Sequence, residues 1–124
     1  MASLDPAGAW RFSTSCGRRA GPRCHLVPDG QHIAYTRGSD IYIASGNGTG
    51  SRKFLTVGGI PWELRWSADG KAMRFTLQDT QTNTASLWEV SADGTSLHPM
   101  LPGWNNPPAE CCGNWTPDGK YFVF

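Results

Sequence analysis

His25, Glu63, Glu110 and Cys112 supply an imidazole, two carboxylates and a thiol, the donor types that hold a zinc-like divalent metal. An ion with an open coordination position lowers the pKa of bound water and favours hydrolysis of an ester or phosphoester, with Glu63 and His25 as the candidate catalytic groups. None of the four cysteines, Cys16, Cys24, Cys111 and Cys112, has zinc-ribbon spacing. Such a site therefore has to be gathered by the fold or by assembly of several copies. The same residues also admit a structural reading: Glu63 and Arg65 form an ion pair in a water-filled channel, and the cysteines pack as small apolar side chains. Cys111 and Cys112 are expected as free thiols, the alternative being a vicinal disulfide or a soft-metal handle.

A second set suits recognition. Trp104 beside Asn105-Asn106, within the long segment Pro102-Gly103-Trp104-Asn105-Asn106-Pro107-Pro108-Ala109-Glu110, combines an aromatic platform with adaptable amides. That composition fits a peptide or sugar surface, and fits equally a lid over a sheet face. Arg65 and Asn114 are the remaining candidate ligand contacts. Gly-x-Ser-x-Gly is absent, which removes the simplest nucleophile motif. Gly46-Asn47-Gly48-Thr49-Gly50 lacks the Lys and the helix of a phosphate loop and reads as a hairpin turn.

The elements that position these residues come from a phrase that recurs three times: Val27-Pro28-Asp29-Gly30, Ser67-Ala68-Asp69-Gly70 and Thr116-Pro117-Asp118-Gly119. The Asp-Gly steps lie 40 and 49 residues apart, a period suited to four-stranded propeller blades. Asp bonds back to the backbone and Gly accepts positive φ, so each phrase predicts a tight turn between strands. After each turn comes an alternating apolar pair, Ile33/Tyr35, Met73/Phe75 and Phe122/Phe124, the period of a strand with one buried face. A second block repeats at a shift of 46, where Gly46-Asn47-Gly48-Thr49 matches Ala92-Asp93-Gly94-Thr95. Four strands per unit follow.

Aligned on Asp-Gly, Trp66 corresponds to Trp115 and Leu26, Arg65 to Asn114 and His25, Leu64 to Gly113 and Cys24, and Glu63 to Cys112 and Arg23. Residues two apart in a strand share a face, which places Glu63 with Arg65, Cys112 with Asn114, and Arg23 with His25. Trp66-Ser67-Ala68-Asp69-Gly70-Lys71 and Trp115-Thr116-Pro117-Asp118-Gly119-Lys120, each followed by an aromatic-rich strand, resemble the PD40 (WD40-like) repeat of TolB-type β-propellers, over roughly residues 22 to 124. The resemblance implies an all-β fold, a partial β-propeller of four-stranded antiparallel blades with the strand before the turn innermost. It implies no single activity: such propellers are docking platforms, envelope or sensor domains and partners of peptidase domains, often periplasmic or extracytoplasmic.

The units divide as an irregular segment 1–21 with a possible latch strand at 9–13, blade 1 at 22–57, blade 2 at 58–101, an inter-blade loop at 102–113 and the start of blade 3 at 114–124. Two blades leave apolar faces uncovered. The expected state is therefore a homo-oligomer closed by cyclic symmetry, in which Trp10-Arg11-Phe12 completes a neighbour's third blade, or else a fragment of a longer chain. A net charge of +1, from 11 basic and 10 acidic residues, gives no electrostatic case for nucleic acid or an anionic membrane. With no run of 18 apolar residues and no apolar core in Met1 to Trp10, neither a transmembrane helix nor a signal peptide is expected, and the chain reads as soluble and cytoplasmic as expressed. The favoured function is a binding or scaffold module that self-associates into a closed propeller and takes a protein or small-molecule ligand at its channel. The alternative is a metal-dependent hydrolase whose site forms in that channel.

Overall fold

In the computed structural model, residues 30–124 are described in full, together with the backbone pairing of three short strands before them. Two of these, β1 (Ala2–Leu4) and β2 (Trp10–Phe12), pair antiparallel with Leu4 opposite Trp10. The strand expected as a latch thus has its partner in its own chain. Cys16, Arg18, Arg19 and Arg23 lie outside the described residues.

Asp-Gly turns and apolar alternation build two four-stranded antiparallel sheets. Blade 1 runs β3 (Cys24–Leu26), β4 (His32–Arg37), β5 (Asp40–Ser45) and β6 (Arg52–Thr56), in that spatial order. Blade 2 repeats the meander with β7 (Ile60–Trp66), β8 (Ala72–Asp79), β9 (Thr84–Ser91) and β10 (His98–Pro99). A third sheet holds β11 (Asn114–Trp115) against β12 (Phe122–Val123). Among the described residues no helix is long and apolar enough to cross a membrane.

The core lies between the first two sheets. Ala34 pairs with Ile43, and Ile41 lies two residues along, so these three side chains share one face of blade 1. Together with Val57 they form one buried cluster with Leu64, Met73, Phe75 and Val90 of blade 2. Burying a side chain such as Phe75, 1% exposed, stabilises by about 1.5–3 kcal/mol.

The recurring turns are built alike to the level of single bonds. Asp69 Oδ1 accepts from Ser67 Oγ at 2.6 Å and from the Lys71 amide at 3.0 Å, while the Ala72 amide donates to Ser67 Oγ at 3.1 Å. Asp118 repeats this with the Thr116 hydroxyl and, at 3.0 Å, the Lys120 amide, and Tyr121 N donates to Thr116 Oγ1 at 3.1 Å. Gly70 and Gly119 both stand at φ 71°, a backbone conformation open to Gly without a Cβ clash. In the second turns, Asn47 Oδ1 and Asp93 Oδ1 each accept from the amide two residues on, at 3.0 Å. These bonds favour the charged carboxylate. The Ser67 hydroxyl and then the Lys71 amide hold Asp69 below the ordinary 3.8, the Thr95 hydroxyl and amide do so for Asp93, and the Thr116 hydroxyl and Lys120 amide for Asp118.

A carboxylate with a depressed folded-state pKa contributes stability that is present above the unfolded value and lost as pH falls through the folded one. Urea midpoints are therefore expected to stay level above about pH 5 and to fall progressively below about pH 4. The triple variant Asp69→Asn, Asp93→Asn, Asp118→Asn, which keeps the acceptor oxygens, should flatten that acid limb. An unchanged slope in the variant would show that the turn carboxylates are not its source.

Candidate binding site on the inner strands

β7 does not keep simple alternation. Trp62 pairs with Thr76 and Arg65 with Arg74, which leaves Glu63 and Leu64 together opposite Phe75. Glu63 has φ 54°, so this is a β-bulge entered through the left-handed region. The bulge turns Leu64 into the core, 1% exposed, and leaves Glu63 half-buried at the surface. There Arg65 Nη2 donates to Glu63 Oε2 at 2.5 Å and Arg65 Nη1 to the Leu64 carbonyl at 2.9 Å. The two side chains meet as alternation predicted, but by way of the bulge.

A second left-handed step stands 49 residues later at Cys112, whose φ is 67°. The next residue, Gly113, matches Leu64, but here the space is filled from the facing strand: a Cβ on Gly113 would lie 2.0 Å from Phe122 Cε1. Cys111 and Cys112 are joined by a vicinal disulfide, which corrects the expectation of free thiols. In a regular strand, successive side chains point to opposite faces. The left-handed step at Cys112 removes that separation and brings both sulfurs to one side. The Cys112 amide donates to Thr76 Oγ1 at 3.3 Å, and Thr76 is fully buried.

Among the described residues, Glu63, Glu110 and Cys112 of the candidate metal set are not gathered into one cluster. Glu110 is 3% exposed and its Oε2 accepts from the Leu87 amide of β9 at 3.2 Å, two strands across blade 2 from Glu63 on β7. Its own amide donates to the Ala85 carbonyl at 2.9 Å, so Glu110 ties the inter-blade loop to β9. Cys112 sulfur is committed to the disulfide and Glu63 to Arg65. His25 lies in β3 with its backbone opposite Ala34, and its side chain is outside the described residues. Among the described residues no three His, Cys, Asp or Glu side chains gather into a cluster able to hold a metal ion.

The recognition set divides in two. Arg65 sits with Glu63 on β7, whereas Trp104 is 62% exposed and meets Phe124 edge to face at 5.6 Å. Asn105 is half-buried and Asn106 exposed. Asn114, exposed on β11, turns its Oδ1 to the Trp115 amide at 2.9 Å. His98 is exposed on β10, its Nδ1 2.7 Å from the Ser96 carbonyl oxygen.

Sequence reasoning passed over Arg74. Its guanidinium carbon lies 4.3 Å from the Trp115 ring centroid and 5.0 Å from that of Phe122, and its Nε donates to Glu89 Oε2 at 2.7 Å. One side chain thus joins blade 2 to the third hairpin through two aromatic faces, while Glu89 of the neighbouring strand in its own blade holds it. The available signal was an Arg between Met73 and Phe75 on a buried strand, with Glu89 in the strand that faces it.

Two antiparallel four-stranded meanders packed face to face, repeated Asp-Gly turns and a third hairpin form a partial all-β propeller with a TolB-like fold. Among solved structures the chain is similar to TolB from Acinetobacter baumannii, with 25% sequence identity and a TM-score of 0.61 over 80% of its length. It spans 25% of that chain. No protein-family model matches the sequence, and no curated protein does.

Replacing Arg74 by Met keeps the packing stem and removes both the cation–π contacts and the ion pair with Glu89, which leaves a half-buried carboxylate behind. A loss of about 1–3 kcal/mol is expected in urea unfolding, with Arg74→Lys intermediate because a compact ammonium cannot stack on two rings. A wild-type midpoint in Arg74→Met would contradict the assignment.

Proposed function

We propose that the chain acts as a binding and scaffold module, a TolB-like propeller segment that self-associates into a closed propeller and takes a protein or small-molecule ligand beside Glu63, Arg65 and Asn114. Blades of this kind bury their apolar faces on neighbouring blades, so stability comes from stacking. The observation that supports self-association is the apolar surface of the third hairpin and its neighbouring loop. Tyr121 is 68% exposed, Val123 62%, Phe124 50% and Trp104 62%. Side chains of this type on and beside β12 favour covering by another sheet. The inner-strand groups form a polar surface of paired charge rather than a nucleophile with its base, which favours recognition over turnover. Metal-assisted hydrolysis gains no support from a Glu63 held by Arg65 and a Cys112 held in a disulfide.

Size-exclusion chromatography with light scattering at micromolar concentration tests this reading. A single discrete homo-oligomer is expected, and Val123→Asp combined with Tyr121→Asp should dissociate it by placing charge on the covered face. A stable, soluble wild-type monomer would contradict self-association.

A further inference from the structure

A cavity of about 420 Å³ opens between the two blades, away from the inner-strand residues described above. Its walls include Val57 of blade 1, Leu77 and Trp88 of blade 2, and Leu97 from the segment before β10. Asp79 and Ser86 add polar groups to the same lining. The volume falls in the range of small-ligand sites, which are mostly apolar with a few placed polar atoms.

Two side chains give it chemical character. Trp88 Nε1 donates to Ser86 Oγ at 2.9 Å, which pins the indole and leaves its ring as part of the wall. Asp79 is the charged residue of the lining. Its Oδ1 accepts from the Gln81 amide at 2.8 Å and the Thr82 amide at 3.3 Å, bonds that orient the carboxylate and hold its pKa below the ordinary value. Among the described residues its bonds are to the Gln81 and Thr82 amides and the Thr82 side chain, with no cationic side chain in an ion pair with it. An aromatic face, aliphatic walls and one fixed anion complement a cation carried on an apolar stem. A neutral apolar guest would leave the carboxylate without a countercharge, and an anion would be repelled.

We propose that this cavity is a binding site for a small organic ammonium, with the stem against Trp88 and Leu77 and the charged head at Asp79. Because it lies between two blades of one chain, the site does not depend on self-association or on the ligand surface near Glu63.

Isothermal titration calorimetry of the full chain with phenethylammonium, and with 2-phenylethanol as its neutral counterpart, tests the proposal. Saturable one-to-one binding of the amine is expected, with the alcohol weaker by about tenfold or more. Asp79→Asn retains the oxygen that accepts from the Gln81 and Thr82 amides, so the turn is kept, and it should lower amine affinity by about tenfold while leaving the alcohol unchanged. Trp88→Leu should weaken both ligands. Absence of saturable binding to the folded wild-type chain, equal affinity for amine and alcohol, or an unaltered amine affinity in folded Asp79→Asn would each overturn the proposal. The amine-to-alcohol comparison stands on wild type alone if a variant does not fold.

Discussion

The packing of one blade on the next is the constraint on which the rest of this molecule depends. Each four-stranded antiparallel sheet has an apolar face that must be buried against another element to form a core. Here the interior is made between sheets: Ala34, Ile41 and Ile43 on one side, Met73, Phe75 and Val90 on the other. The tight turns and the β7 bulge position the strands that present those two faces. The cavity beside Trp88 lies along the same junction, where the sheets leave room at their margin.

That constraint explains the unusual backbone at the inner strands. Leu64 has to enter the core opposite Phe75, and the extra residue this requires is accommodated by the left-handed step at Glu63. A left-handed Glu is uncommon, and strain of this kind persists when surrounding packing over-determines it. A left-handed step also stands at Cys112, where the third hairpin fills the corresponding space with the Phe122 ring instead of a Leu. The bulge also exposes Glu63 to Arg65, so a core requirement produces the polar surface at which ligand recognition is proposed.

Repeat order, turn positions and the Met73/Phe75 face of β8 were legible because they rest on local chemistry, Asp-Gly turns and a period of two, whereas in β4 it is Ala34, between the expected Ile33 and Tyr35, that enters the shared core. What escaped was chemistry that depends on three-dimensional neighbours. Nothing about Glu63 or Cys112 as residue types announces positive φ, and without it a bond between adjacent cysteines is the less favoured reading. Glu110 looked like a channel carboxylate in the linear register, yet its oxygen is used on the Leu87 amide across the blade. Arg74 was passed over because the hairpin that stacks on it lies about forty residues away in sequence.

The central claim, that the two blades are one cooperative unit through their shared core, is tested most directly by hydrogen exchange on Phe75→Ala. Truncating that ring is a change of about 3–5 kcal/mol for a fully buried Phe. If the account is right, the amides of β4 and β5 in blade 1 lose protection together with those of β8 and β9, although the substitution lies in blade 2. Loss of protection confined to blade 2, with β4 and β5 exchanging as in wild type, would contradict it.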